Sequence, residues 1–188
     1  MAASSSPQLL QTQQEVVVGV GDCRTAVWPV SALTTYALGS CIAVVAWDWK
    51  LRLGELLHVM LPGSAIDRTA SGAAGNPFLY VDTGVPELPR RLEVGGASKS
   101  RLRCCMAGGA NMMADSASFE MGKRNRMPIK KAFWRAGIFV DNEDVGGNES
   151  HSVRLDLGTG QGDLRKGTAP GRVLAPGRIQ VFAEGSGR

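Results

Sequence analysis

Two histidines and four cysteines are the residues of this chain that could carry out nucleophilic or metal chemistry. They are His58 and His151, and Cys23, Cys41, Cys104 and Cys105. The cysteines form no C-x-x-C pair, and with two imidazoles the spacing matches no zinc ribbon or finger. The sequence therefore predicts no metal site, and a reaction that needs an imidazole has two positions available.

Cys41 and His58 lie in two apolar stretches, 41–48 and 53–61, that predict a β-hairpin. If the turn is centred between Trp49 and Lys50, opposed residues have numbers that sum to 99, and Cys41 faces His58. Directly opposed residues project to one face with Cβ atoms ~4.5–5.5 Å apart, within reach of a thiol–imidazole hydrogen bond. The predicted contact depends on this register, which a shift of the turn would change.

The residues before Cys41 suggest a second element of an active site. Gly39 and Ser40 permit a tight turn whose backbone N–H groups could stabilise an oxyanion. A thiol beside an imidazole is the minimum equipment for nucleophilic acyl transfer. The residues alone leave another interpretation open, because a cysteine that opens the run CIAVV and a histidine within LLHVML are also typical of a core.

Several co-linear motifs resemble those of the CheD family, the chemoreceptor glutamine deamidases of bacterial chemotaxis. They are TYALGSCIAVV from Thr35, HVMLP from His58, YVDT from Tyr80, AGGANM from Ala107, GKRN from Gly122 and EDVGGN from Glu143. The resemblance spans roughly residues 15–165, and several motifs in order are far more specific than any one of them.

This resemblance implies an active site of Cys41, His58 and Thr35 and no cofactor. It implies hydrolysis of selected glutamine amides, and of some glutamyl methyl esters, on the cytoplasmic helices of methyl-accepting receptors. It also implies an α/β sandwich related to the catalytic core of the cytotoxic necrotizing factor toxins. A second implied role is that of an adaptor that binds and stimulates a CheC-type phosphatase with little deamidase activity.

The sequence departs from the family at three positions. His151 stands where relatives carry arginine, and its predicted place in a loop favours a surface role without a catalytic part. Pro86 and Pro89 stand where relatives have an uninterrupted helix, so a partner contact there would differ. Asp82 and Thr83 could line the site, although a helix-capping role explains them equally well.

Predicted strands dominate the first third of the chain, and predicted helices and strands alternate in the rest. Predicted strands outside the hairpin cover 15–20, 25–30, 33–38, 101–107, 137–140, 152–157 and 178–183. This order predicts an α+β fold, a sandwich of mixed or antiparallel sheet with flanking helices.

Two helices are predicted with different support. Residues 78–94 have weak helical periodicity, but one glycine and two prolines interrupt it, which predicts a short or broken helix. A second helix is predicted to start at Asn125 as its N-cap, with Pro128 in its first turn, and to end at Gly137.

The resemblance implies one deamidase-like domain at 15–165, and composition predicts a flexible Ser/Gln-rich arm at 1–14 and a Gly/Pro/Arg-rich tail at 166–188. The start of the chain has no basic region followed by an apolar one, and the longest apolar run, 41–47, is far short of the ~18 residues of a membrane span. These features predict a cytoplasmic protein with reduced cysteines and no membrane insertion.

Nucleotide and nucleic-acid binding are the weaker alternatives. Gly19 and Gly21 lack the third glycine of G-x-G-x-x-G, and no G-K-[ST] follows Gly108 and Gly109. The net charge of +4 is mild, and the basic residues between 99 and 135 match no DNA or RNA motif. A solvated face, or a surface for acidic receptor helices, explains these basic residues better.

Overall fold

Ten strands and two α-helices make up the described part of the structure, a computed structural model that describes residues 14–66, 75–111, 116–168 and 170–173. The strands are β1 (Glu15–Val17), β2 (Cys23–Val27), β3 (Ala32–Leu38), β4 (Ile42–Asp48), β5 (Leu53–Val59), β6 (Leu102–Gly108), β7 (Asn142–Val145), β8 (His151–Asp156), β9 (Gly162–Lys166) and β10 (Arg172–Val173). The helices are α1 (Val81–Val94) and α2 (Ser116–Arg135).

The strands form two mixed sheets of five. The first sheet has the order β1-β3-β8-β9-β10 and the second the order β2-β5-β4-β6-β7. The pairs β1–β3 and β6–β7 are parallel, and the other pairs are antiparallel. The predicted α+β sandwich is therefore confirmed, while the predicted relation to the necrotizing factor toxins stays a prediction.

Strand β4 lies at the centre of three layers, and all seven of its residues are buried. Alternate residues point to opposite faces of a strand, so β4 contributes to two cores. Ala43, Val45 and Trp47 pack against the first sheet. Ile42, Val44 and Ala46 pack on the other face, in the core that includes α1 and α2. The predicted hairpin is thus the central part of the fold.

Helix α1 is continuous over 14 residues, so the prediction of a short or broken helix was wrong. A proline in a helix costs about 3 kcal/mol. Burial of a large apolar side chain contributes about 1.5–3 kcal/mol, and α1 buries four of these: Val81, Val85, Leu88 and Leu92. Packing on the second sheet therefore outweighs the two prolines.

Helix α2 begins at Ser116, so Asn125 lies inside the helix and its predicted role as N-cap was wrong. The predicted end was correct. Gly137 adopts φ +73° and donates to the carbonyl of Trp134, and Ile138 donates to the carbonyl of Phe133. This pattern is a glycine C-cap, which leaves the chain free to turn towards β7.

The last third of the chain differs most from the prediction. A strand was predicted at 137–140, but β7 follows it, at Asn142–Val145. Strands β9 and β10 extend the first sheet beyond β8 and were not predicted. The predicted strand at 178–183, and all of the predicted arm except Gln14, lie outside the described residues.

Candidate active site

His58 and Thr35 meet between the two sheets, although β5 and β3 belong to different sheets. Thr35 Oγ1 lies 2.9 Å from His58 Nδ1 and donates to the carbonyl oxygen of Val18 at 2.8 Å. A hydroxyl has one hydrogen, so the Nδ1–H of His58 must be the donor in the contact with Thr35. This contact selects the imidazole tautomer with its lone pair on Nε2.

The Nε2 atom of His58 is buried and has no hydrogen-bond partner among the described residues. Burial lowers the pKa of His58 to about 4, so the ring is neutral at neutral pH. The backbone of His58 is held on both sides, since its N–H donates to the carbonyl of Asp22 and its carbonyl accepts from Gly21. His58 is therefore a fixed, neutral imidazole whose Nε2 can accept a proton.

The register of the hairpin differs from the prediction by two residues. His58 lies opposite Ala43, and opposed residues have numbers that sum to 101. The turn closes one residue later because Asp48 Oδ1 accepts from the N–H groups of Lys50 and Leu51, at 2.9 and 3.2 Å. The predicted direct pairing of Cys41 with His58 was wrong. A shift of two preserves the face of each side chain, however, so Cys41 keeps the same side of the strand as Ala43.

Cys41 lies just before β4, half-buried and packed beside the core between the two sheets. Burial raises the pKa of its thiol, and a hydrogen bond from its own backbone lowers it in part. The thiol is therefore protonated at rest and needs a base before it can attack.

A turn that follows β6 holds the backbone around Cys41. Gly109 N–H donates to the carbonyl of Cys41 and Ala110 N–H to that of Gly39, each at 2.7 Å. Gly108 has φ +118°, and a Cβ there would lie 2.3 Å from the Cys41 carbonyl oxygen. Only glycine permits this approach, so Gly108 fixes the distance between the turn and the segment that carries Cys41.

Gly39 and Ser40 connect β3 to Cys41, as the sequence suggested. Ser40 makes no hydrogen bond within the described part of the chain, whereas Gly39 is held through its carbonyl. Ala37, two residues before Gly39, adopts φ 54° beside a register shift in the β3–β8 pairing. The segment thus leaves its strand through an irregular turn, and the predicted role of its N–H groups at an oxyanion stays a prediction.

Asp82 and Thr83 lie in the first turn of α1 and hold neighbouring segments. The Asp82 carboxylate accepts from the N–H and the hydroxyl of Ser64, each at 2.9 Å. Thr83 Oγ1 donates to the carbonyl of Pro77 at 2.6 Å. The N-cap of α1 is Tyr80, so neither residue caps the helix. Their role in lining the site stays a prediction.

His151 is completely buried, so its predicted surface position was wrong. It begins β8, opposite Leu38 of β3. Neither ring nitrogen has a hydrogen-bond partner among the described residues, and Nε2 lies 3.6 Å from Asp144 Oδ1, which pairs with Lys166 at 2.6 Å. Burial, assisted by the charge of Lys166, lowers the pKa of His151 to about 4. His151 is therefore a neutral core histidine, paired with the end of β3 that leads to Cys41.

The other three cysteines lie in the cores. All four thiols are free, and Cys104 and Cys105 are fully buried in β6. Cys23 Sγ donates to Glu55 Oε1 at 2.9 Å on the side of β5 that faces α1, where Arg91 also binds this carboxylate at 2.5 Å. Within the described residues, no group of three or more His, Cys, Asp or Glu side chains could hold a metal ion.

Comparison with known proteins identifies the family of this chain. Residues 60–166 match the sequence model of the family described as "CheD chemotactic sensory transduction". The "Probable chemoreceptor glutamine deamidase CheD" of Solibacter usitatus is 45% identical over 148 residues, which cover 79% of this chain and 86% of that protein. The chain belongs to the CheD family. A CheD protein of Syntrophus aciditrophicus is 38% identical over 85% of this chain and 99% of its own length, and one of Thermococcus kodakarensis 37% over 85% and 97%.

Two CheD motifs that carried the resemblance had no role assigned from the sequence. Asn111, in the motif AGGANM, donates its N–H to the carbonyl of Gly147, in the motif EDVGGN, at 2.8 Å. Gly146 in turn donates to the carbonyl of Gly108. The side-chain Oδ1 of Asn111 is buried with no partner among the described residues. A glycine pair at the end of a buried strand was the available sign that this turn supports the segment around Cys41.

Proposed function

We propose that this CheD protein hydrolyses the side-chain amide of selected glutamines on chemoreceptors to glutamate, with Cys41 as nucleophile and His58 as base. Thr35 is the positioning residue for His58. The observation that carries the proposal is the contact of Thr35 Oγ1 with His58 Nδ1, which leaves Nε2 neutral and unpaired. The half-buried thiol on the same side of the β4–β5 hairpin supports it.

The first half of the reaction forms a thioester. Nε2 of His58 takes the proton of the Cys41 thiol while the sulfur bonds to the carboxamide carbon of the glutamine. The carbon–nitrogen bond of the tetrahedral intermediate then breaks, and Nε2 returns its proton to the leaving group, which departs as ammonia. Backbone N–H groups of Ser40 and Cys41 are proposed to bind the oxyanion.

The second half releases glutamate. Water gives a proton to His58 Nε2 as its oxygen bonds to the thioester carbon. The carbon–sulfur bond then breaks, and the proton returns to the sulfur of Cys41. A glutamyl methyl ester can enter the same thioester with methanol as leaving group, so we include this esterase reaction in the proposal.

The proposed partners are the cytoplasmic helices of methyl-accepting receptors, and the proposed location is the cytoplasm. Four free cysteines fit a reducing compartment. In the described part of the chain, neither helix has the length and apolar character to cross a bilayer. Binding to a CheC-type phosphatase is the alternative role, but it gives no reason for a buried imidazole held by Thr35 on the side of the hairpin that Cys41 shares.

The test is mass spectrometry of a cognate receptor cytoplasmic fragment after incubation with wild type and with Cys41→Ala. We expect a change of glutamine to glutamate with the wild type alone. A fragment that the wild type leaves unchanged would overturn the deamidase proposal and favour the phosphatase partner. A fragment that Cys41→Ala modifies at the wild-type rate would overturn the assignment of the nucleophile.

A further inference from the structure

A groove with a volume of about 510 Å³ runs between α1 and α2. Prolines and alanines form much of its wall, and charged side chains stand along it. The lining residues on which the argument depends are Pro86, Pro89, Pro128, Lys131 and Arg135. From Val81 to Glu93 the groove follows α1 for about 18 Å, at about 1.5 Å per residue. This length suits three turns of a helix.

Two of the cations in the groove have no acidic partner within the described residues. Arg90 is paired with Glu87 at 2.9 Å and Lys99 with Glu93 at 3.4 Å. Lys131 and Arg135 are exposed, lie one turn apart on α2, and form no ion pair with any described side chain. The α2 side of the groove is therefore positive, and no described acidic side chain neutralises it.

The same side of α2 exposes two large apolar side chains. Met127 and Trp134 are each 68% exposed. Met127, Lys131 and Trp134 follow the spacing of four and three residues that places side chains on one face of a helix. This face therefore combines apolar and cationic groups, which complements an amphipathic helix with acidic residues.

One end of the groove lies beside the end of β5, the strand that carries His58. Val81 begins α1 and donates to the carbonyl of Leu61, just beyond the end of β5. Asp82, which lines the groove, also holds Ser64 through two hydrogen bonds. A helix seated in the groove would thus be presented towards the end of the strand that carries the proposed base.

We propose that this groove binds an acidic helix of the chemoreceptor substrate, apart from the segment that reaches Cys41. The inference rests on the proposed function. The product of that reaction also favours an acidic occupant. Each deamidated glutamine becomes an anionic glutamate, so modification increases the attraction of a receptor helix to Lys131 and Arg135. The apolar wall and the carboxylates of Asp82 and Glu93 fit a protein helix better than the phosphates of a nucleic acid.

The test measures binding in the Cys41→Ala background, so that no turnover occurs. The groove variant is Lys131→Glu/Arg135→Glu. The control, Lys50→Glu/Arg165→Glu, makes the same change in charge at exposed residues of the hairpin turn and of β9, and Lys131→Gln/Arg135→Gln removes charge without reversing it. Two receptor cytoplasmic fragments serve as probes, one with glutamine and one with glutamate at the modified positions, together with duplex DNA.

We expect the groove variant to raise the Kd for the glutamate fragment about tenfold at ~0.05 M salt. The Lys131→Gln/Arg135→Gln variant should raise this Kd less, and the control should change it less than about twofold. We also expect the glutamate fragment to bind more tightly than the glutamine fragment, and the groove variant to remove that difference. Equal Kd values for groove and control variants would overturn the proposal, as would a groove variant that weakens only DNA binding. Failure of the wild type to deamidate the fragment would overturn the proposed function instead, because this binding comparison needs no turnover.

Discussion

Strand β5 carries two buried titratable side chains on opposite faces, and each shares its face of the second sheet with a cysteine. Glu55 faces α1 and accepts a hydrogen bond from Cys23, whereas His58 faces the first sheet and contacts Thr35. Both are at most 3% exposed. The two clusters lie on the same strand and are similarly buried. They differ in the titratable side chain that shares a face with each cysteine.

The partner of Cys23 holds its proton in place. Burial raises the pKa of this thiol far above its ordinary value, and the negative charge of Glu55 raises it further. Cys23 is also only 5% exposed. The thiol is therefore a hydrogen-bond donor to a carboxylate and unsuited to act as a nucleophile.

Among the described residues, no such anion affects the Cys41 thiol. Burial alone raises the pKa of its thiol, and the imidazole of His58 is neutral with a bare Nε2. Cys41 is also partly accessible. The comparison shows that a neutral base and access, rather than a low thiol pKa at rest, distinguish the proposed nucleophile from a structural cysteine.

The largest expected effect separates the two thiols. Cys41→Ala should lower the deamidation rate at least about 10³-fold, because no other group supplies the nucleophile. Cys23→Ser should leave the rate within about twofold, since its hydroxyl can still donate to Glu55. The rates are measured by mass spectrometry of a receptor fragment. Equal losses in the two variants would contradict the assignment.

Replacement of the proposed base should have the next largest effect. His58→Gln should lower kcat about 10²–10⁴-fold, the usual contribution of general acid–base catalysis. His151→Gln is the matched control, because His151 is equally buried and neutral but is not assigned a proton transfer. Its kcat, corrected for the folded fraction from a thermal melt, should remain near wild type. If His151→Gln has a kcat as low as that of His58→Gln, the assignment of His58 as the base is contradicted.

Loss of the Thr35 hydroxyl should have a smaller effect that a conservative variant rescues. Thr35→Val removes the acceptor for His58 Nδ1–H, so the ring loses its fixed tautomer, and we expect a loss of about 10–100-fold in kcat. Thr35→Ser keeps the hydroxyl and should recover most of the rate. If Thr35→Ser is as slow as Thr35→Val, packing of the methyl group matters and orientation of the base does not.

The two faces of β5 should respond to acid with opposite signs. The folded pKa of His58 is about 4, below its ordinary value near ~6.5, so the unfolded chain binds more protons between these pH values. The free energy of unfolding should therefore fall on acidification, by up to about 1.4 kcal/mol per pH unit, and His151 adds a contribution of the same sign. Denaturant unfolding at pH 7, 6 and 5 measures this slope. A free energy of unfolding that rises from pH 7 to pH 5 would contradict this prediction.

Glu55 should give the smallest and opposite effect. Burial holds its pKa above the ordinary value, so its contribution to stability is lost as pH rises through the folded pKa. Glu55→Gln removes this pH-dependent contribution to stability and the attraction to Arg91. Burial of a neutral amide, however, costs less free energy than burial of a carboxylate. We expect a change of about 1 kcal/mol or less at pH 7 and deamidation within about twofold. The same unfolding series measures it, and a strong loss of activity would show that the two clusters are coupled.

Local pattern was enough to predict the hairpin, the face shared by Cys41 and His58, and the C-terminal end of α2. The register was not predictable, because the side chain of Asp48 organises the turn and moves its centre by one residue. The error did not separate the candidate residues, since a shift of two positions keeps each side chain on its face.

Pairings between distant strands explain most of the rest. The burial of His151 follows from its place opposite Leu38 in the first sheet, and its own neighbours in sequence do not indicate this. The contact of Thr35 with His58 joins residues of different sheets and was available only through the family resemblance. Helix α1 likewise depends on its packing against the second sheet, which local propensity does not include.

Gly108 has a consequence for how activity could be lost within the family. Any larger residue there would place its Cβ against the Cys41 carbonyl oxygen and push the proposed nucleophile out of position. With Cys41 as the proposed nucleophile, a gene copy could therefore lose deamidation by one codon change in β6 while cysteine, histidine and threonine stay intact. Inspection of those three residues alone would misclassify such a copy as an active enzyme.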